Sequence, residues 1–348
     1  MRIRGIGRLR QTARRLRGSF VPTALILVYH RVAEIPSDPQ LLCVAPDHFG
    51  EHMEILRRKY RPVRLQPLAG ARQNGDRARR SVAVTFDDGY ADNLYAGKPL
   101  LERFDVPATV FVTSGYIGEQ HEFWWDELDR LLLQPGTLPD ILHLSINGSV
   151  HRWELSQEAH YGEETYWRYR AWSVLEEGDL GVRQRLYRSL CGLLRPLPGK
   201  ERREVLGQLR SWADIDPAGR QTHRTLTPAE VMHLGAGDLI EVGAHTVSHP
   251  VLSILSPSAQ RAEIEGSKRH LEDIVGHPVA AFAYPYGSRS DYTAETVTIV
   301  KDAGFACACS NFSDVVWRGS DRFQLPRVLV RDWDGDEFAS QLERWFRG

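Results

Sequence analysis

Residues 82–90 read Val82-Ala-Val-Thr-Phe86-Asp87-Asp88-Gly89-Tyr90. A short, largely apolar run followed at once by a turn signal reads as a buried strand. Asp-Gly is a common turn dipeptide and accounts for the chain reversal. It does not account for the doubled carboxylate. Two adjacent acids at a strand end repel each other, and only a cation between or beside them relieves the repulsion.

The same grammar recurs on both sides. Ala24-Leu-Ile-Leu-Val-Tyr29 is a second apolar strand, ending at His30. Residues 46–60 form an amphipathic helix with Phe49, Met53, Ile55 and Leu56 on one stripe. The stretch 100–104 is helical, and 108–112 (Ala-Thr-Val-Phe-Val) is another strand. Strand, helix and strand in this rhythm predict a parallel α/β fold. After Gly118 the rhythm breaks. Residues 141–146 and 149–155 alternate around Asn147-Gly148, a strong hairpin signal, and 163–212 is polar and helical. From Thr225 the α/β pattern returns, with a capping box over 227–230. Strands follow at 240–242, 280–283, 305–309 and 327–330, with helices at 256–275, 293–303 and 336–346 between and after them. Four segments result: a basic arm (1–20), the first part of an α/β domain (21–118), an insertion (119–224) and the second part (225–348).

The 348 residues have a formal net charge of −1, so nothing in the overall balance points to nucleic acid. The arm concentrates cations at Arg2, Arg4, Arg8, Arg10, Arg14, Arg15 and Arg17, with no acid. The apolar stretch after it is too short for a signal peptide, and no run reaches membrane-span length. This predicts a cytoplasmic protein whose arm is either simply solvated or touches anionic lipid. The 4 cysteines include Cys307 and Cys309, which face the same side of a strand and read as small buried residues.

Two further segments place polar groups directly after an apolar strand. In Gly243-Ala-His245-Thr-Val-Ser-His249-Pro250, two histidines four apart can converge on one ion, neutral imidazole being a preferred zinc ligand. With 13 histidines in the chain, a chance pair is the competing account. In Phe282-Ala-Tyr284-Pro285-Tyr286-Gly287, the aromatics form either a platform for a sugar face or a buried turn.

Taken in order, the three motifs resemble the polysaccharide deacetylases of the NodB-homology type, carbohydrate esterase family 4. The resemblance covers residues 25–118 and 225 to about 330. It implies a distorted (β/α) barrel, with the site at the C-terminal ends of the strands, and hydrolysis of N-acetyl groups on an amino-sugar glycan. It implies one divalent metal, usually zinc, held by Asp88, His245 and His249. Asp87 would be the catalytic base, and Tyr286 and Tyr284 would meet the substrate, the former offering its backbone N–H to the oxyanion. Many members carry an arginine three residues before the tyrosine of the third motif. Here that position is Ala283, and Arg327, at the start of the last strand, is the candidate replacement for orienting Asp87. The opening strand with His30-Arg31 is similar to the circularly permuted branch that acts on poly-N-acetylglucosamine, which makes His30 the candidate general acid, kept protonated by a neighbouring carboxylate. Phe123-Trp-Trp-Asp126 is expected near the barrel mouth, and Trp153, Trp167, Trp172 and Trp212 in the insertion's own core. Two alternatives stay open: a hydrolase of the same fold acting on a non-sugar amide, and an inactive carbohydrate-binding domain.

Overall fold

β1 spans Ala24–Tyr29, and all six of its residues are buried. In a parallel sheet both faces are covered, so a continuous apolar run rather than an alternating one is what this position requires. The computed structural model describes residues 24–70, 80–178, 181–317 and 319–347; the basic arm lies outside them. The remaining strands of the main sheet are β2 (Arg61–Pro62), β3 (Ser81–Phe86), β4 (Ala108–Val112), β5 (Ile240–Ala244), β6 (Ala281–Ala283), β7 (Cys307–Cys309) and β8 (Val328–Leu329). Their order is β7-β6-β5-β4-β3-β1-β8, with the short β2 also paired to β3, and every pairing is parallel.

The sheet curls until its two edges meet one stretch of chain. Leu325 pairs with Cys309 at one edge, while Val328 and Leu329 pair with Leu27 and Val28 at the other. Residues 325–329 therefore form the seam that closes the distorted barrel expected from the sequence. Cys307 and Cys309 are fully buried inside it. β7 begins at Cys307, two residues later than the apolar run suggests.

Helices pack outside the barrel. α1 (Pro46–Lys59) buries Phe49, His52, Met53 and Leu56 and starts at a proline, whose missing N–H costs nothing in a first turn. The Thr227 capping box is present on the short helix Pro228–Leu234. Glu263 lies on the long helix Pro257–Val275.

Residues 119–224 carry a second apolar core, built around Leu128, Leu142, Leu186 and Leu209. Asn147 and Gly148 both take positive φ (50° and 76°), as a tight hairpin turn of this kind demands. The polar region 163–212 is three helices rather than one: Glu163–Tyr169, Val182–Leu194 and Gly199–Ala213. Pro196 and Pro198 fall between the last two, where continuing the helix would remove donors and clash. Trp172 is buried in this core, and Trp153 and Trp212 pack against it. Trp167 is not core: it is 57% exposed, with Arg170 stacked on its ring. Among the described residues, no helix is long and apolar enough to cross a membrane.

Candidate active site

His30, Asp87, Asp88 and His245 each follow the C-terminal end of a barrel strand, so parallel packing alone brings them to one rim. The turn after β3 is tight. Gly89 has φ +85°, and a Cβ there would lie 2.8 Å from a Val112 side-chain carbon, so glycine is required. Gly287, at φ +67°, is equally constrained by the Asn311 backbone nitrogen, 2.7 Å from a hypothetical Cβ. Asp88, Thr246, His249 and Tyr286 also hold positive φ (75°, 65°, 53° and 59°). Non-glycine residues in this region carry local strain that the surrounding structure must offset. Its concentration in all three motifs marks them as positions held for geometry rather than comfort.

Asp88, His245 and His249 place one ligand atom each within 4.8 Å of one another, and all three are buried. Asp88 Oδ1 lies 3.7 Å from His245 Nε2 and 3.4 Å from His249 Nε2, yet has no hydrogen-bond partner. The His245 Nδ1 side is committed to the Ala283 carbonyl at 2.8 Å, which leaves the Nε2 lone pair facing Asp88. Burial lowers both imidazoles, so they are neutral. Burial, then Asp87, pushes the Asp88 carboxyl well above its usual range. Two neutral imidazoles and a carboxylate starved of a counter-charge are the donor set a divalent cation takes, and these residues fit one.

Asp87 is handled differently. Burial raises its carboxyl, but the Arg327 guanidinium, with His245, outweighs this and holds it below the ordinary carboxylate value. Arg327 comes from the middle of the seam. It donates to both Asp87 oxygens at 2.6 Å and is anchored by the Ser310 carbonyl at 2.8 Å and the Thr85 hydroxyl at 3.2 Å. The structure thus brings Arg327 to Asp87, from the closing seam rather than from the strand that carries Ala283.

His30 shares a cavity of about 280 Å³ with Asp87, Asp88, His245, His249 and Tyr286. Its Nδ1 is buried and unpartnered. The expectation that a carboxylate keeps it protonated is corrected. Burial is the larger influence and lowers His30 to about 4, Asp87 offsetting only part of it while Arg327 and His245 depress it further. His30 is neutral at rest.

Tyr284 does not meet the cavity. It is buried, stacks on Tyr292 at 4.1 Å and donates its hydroxyl to the Phe323 carbonyl at 2.9 Å, so it is a core residue. Tyr286 lines the cavity, but Arg195 sits 4.4 Å over its ring and the His249 edge approaches at 4.7 Å. No open sugar platform remains on these two tyrosines. Trp124 and Trp125 line the cavity and Phe123 is buried behind them.

The insertion also supplies a residue that no motif announced. Arg202, only 2% exposed on the helix Gly199–Ala213, donates to the carbonyls of Ser248 (3.0 Å) and His249 (3.3 Å). From the other side Glu263 accepts from Val247 N, Ser248 N and the Ser248 hydroxyl at 2.6–2.9 Å. The loop carrying both histidines is thus clamped between barrel and insertion. Trp125 packs on the His249 ring at 5.1 Å and is itself fixed by donating to Tyr90, whose hydroxyl donates to Asp126. An arginine in a polar helix carries no signal that distinguishes it from a solvated one.

Comparison with known proteins follows the same division. A family profile described as polysaccharide deacetylase matches residues 74–137 and 211–308. YxkH of Bacillus subtilis (strain 168), assigned by name to the polysaccharide deacetylases, is 27% identical over 138 residues, 38% of this chain; the match spans about half (48%) of that relative's length. Two solved structures share the fold. The deacetylase PplD of Streptococcus pyogenes, in complex with acetate, covers 92% of this chain and 99% of its own, with a TM-score of 0.56 at 16% identity. IcaB of Ammonifex degensii covers 94% and 98%, with a TM-score of 0.54 at 18% identity. The profile takes in all three motifs and omits most of the insertion, and His30 and Arg327 fall outside it at the two ends. The profile match over all three motifs, on a barrel of this kind, makes the chain similar to the NodB-type polysaccharide deacetylases.

Proposed function

We propose that this protein hydrolyses the N-acetyl group of an amino sugar within a glycan or glycan precursor, releasing acetate, with one divalent metal, zinc being the best match to the ligands. The observation that carries this reading is the contrast between neighbours. Asp87 is fully paired and held ionised, while Asp88, one residue on, has a bare oxygen aimed at two neutral imidazoles.

Asp88, His245 and His249 would hold the ion, leaving a coordination position free; a zinc ion in such a site lowers the pKa of a water to about 7 and polarises a carbonyl. Asp87 takes the proton of the attacking water, because Arg327 fixes both of its oxygens and keeps it a base. The Tyr286 N–H, on a backbone held at φ +59°, donates to the oxygen on which negative charge develops. The departing nitrogen needs a proton, since an amine anion is too basic to leave. His30, neutral at rest and in the same cavity as Asp87, receives the proton that Asp87 took from the water and passes it to that nitrogen, leaving Asp87 ionised again.

The test is acetate release from N-acetylglucosamine oligomers by protein reconstituted with zinc, before and after chelation. Release that stops on chelation and returns with zinc is expected. His245→Ala should lose both bound zinc and activity, since two ligands hold zinc poorly, while Asp87→Asn should retain zinc and lose turnover. Full zinc occupancy in His245→Ala would refute the ligand set.

A further inference from the structure

The proposed chemistry leaves one wall of the cavity without a task. That wall joins three separate parts of the chain. Gln40 comes from the loop after β1, Cys191 and Arg195 from the end of the helix Val182–Leu194, and Arg331 from just beyond β8; all four line the cavity. The Gln40 amide donates to the Tyr187 hydroxyl at 2.8 Å and lies 3.6 Å from the Cys191 sulfur. Arg331 Nη1 donates to the carbonyl of Leu41 at 2.5 Å, with Gln40 O at 3.5 Å. Gln40 thus links Arg331 to Cys191, and Arg195 is one helical turn on from Cys191, so both arginines belong to the same wall.

The charges on this wall do not cancel. Asp87 is matched by Arg327, and Asp88 is the ligand of a divalent ion. Arg195 is bonded to Asp291 at 2.6 Å through Nη2 alone. Arg331 has no carboxylate within bonding distance among the described residues. Its bonds go to two backbone carbonyls, which orient a guanidinium without neutralising it, and its Nε and Nη2 make no hydrogen bond to any described residue. A half-buried cation without a counter-ion is costly to maintain. Burial lowers its pKa, and Asp38 only partly offsets this. With a divalent ion in place, the cavity carries surplus positive charge, and its free donors have the planar fork that matches a carboxylate or phosphate.

We infer that the amino sugar reaches this site beside an anionic group, a carboxylate or a phosphate, which Arg331 binds with Arg195 at its flank. The substrate class is then an acidic glycan or a phosphate-linked glycan precursor, rather than a neutral polymer of N-acetylated sugars. This rests on the deacetylase reading and narrows it.

The test measures binding by calorimetry to the full-length, zinc-loaded protein with three ligands. Chitotetraose is neutral, a hyaluronan tetrasaccharide alternates N-acetylglucosamine with glucuronate, and UDP-N-acetylglucosamine carries a diphosphate. At least one charged ligand should bind about tenfold or more tightly than chitotetraose, the size expected of one charge-assisted contact, and the advantage should shrink with added salt. Which charged ligand wins identifies the carboxylate or the phosphate. Arg331→Gln should collapse the charged-to-neutral ratio, and Arg331→Lys should retain part of it, having the charge without the fork. Equal affinity for all three ligands would overturn the inference. So would a ratio unchanged in Arg331→Gln, the outcome if a diphosphate binds the ion alone. Because the readout is a binding ratio, it decides the matter whether or not acetate is released; absence of release from every ligand counts against the deacetylase reading alone.

Discussion

Arg327 and Asp87, 240 positions apart, meet fork to fork at 2.6 Å on both arms, both buried in the barrel. Such a pair contributes little net stability by existing, because desolvating both ions offsets their attraction. Breaking it strands a buried charge, at about 3–5 kcal/mol. Arg327→Met should therefore lose about that much stability in urea unfolding and should abolish turnover, with Asp87 shifted upward once its largest opposing charge is gone. Arg327→Lys should recover part of the stability but little activity, since an ammonium grips one oxygen at a time. An Arg327→Met protein as stable as wild type would mean that the pair is not under load.

Arg202 tests whether the insertion is part of the site. Its bonds to the Ser248 and His249 carbonyls hold a ligand loop in which His249 keeps a positive φ. Supporting residues of this kind typically alter metal affinity by about 10–100-fold. Arg202→Met should weaken zinc binding by about that factor in a chelator competition, and saturating zinc should restore most of the turnover. A wild-type zinc affinity would leave Arg202 as packing for Trp124 and nothing more.

The proposed acid role of His30 separates amides from activated esters. His30→Ala should fold, bind zinc normally and lose most turnover on an N-acetyl sugar. On an aryl acetate, whose leaving group needs no proton, the loss should be much smaller. Equal losses on the two substrates would remove His30 from the proton path.

His52 gives the fold a pH dependence distant from the chemistry. Its Nε2–H donates to the Trp333 carbonyl at 2.8 Å, its Nδ1 faces the Tyr29 hydroxyl at 3.3 Å, and its ring stacks on Phe338. Burial is the main influence and lowers it from 6.5 to about 4. The unfolded chain therefore binds more protons than the folded one between those values. Its contribution is complete above pH 6.5 and is lost as pH falls toward 4, by about 3 kcal/mol in all. His52→Gln should show a shallower acid slope in chemical denaturation across that window. Parallel slopes would mean that the imidazole protonates in place without penalty.

The sequence shows the barrel strands plainly because a strand covered on both faces must be apolar throughout, as Ala24–Tyr29 and Ser81–Phe86 are. It shows Asp87, Asp88, His245 and His249 because polar groups directly after such strands are conspicuous. Tyr284 misleads because an aromatic beside a turn has the same composition whether it faces a cavity or Tyr292. The protonation state of His30 is invisible for another reason: it depends on total desolvation, which no local pattern records. Arg202 and Arg331 are hidden likewise, since only the folded chain shows that neither has a carboxylate partner among the described residues.

The seam at residues 325–329 has a mechanical meaning. Side chains alternate across a strand, so adding or removing one residue between Leu325 and Arg327 would turn the guanidinium to the outside while the backbone bonds to both sheet edges re-formed. The spacing of a few residues in a closing strand thus acts as a ruler that sets the charge on a base belonging to another strand. A shape-preserving insertion there would leave a barrel that folds, yet whose Asp87 has lost its counter-ion and binds protons instead of abstracting them.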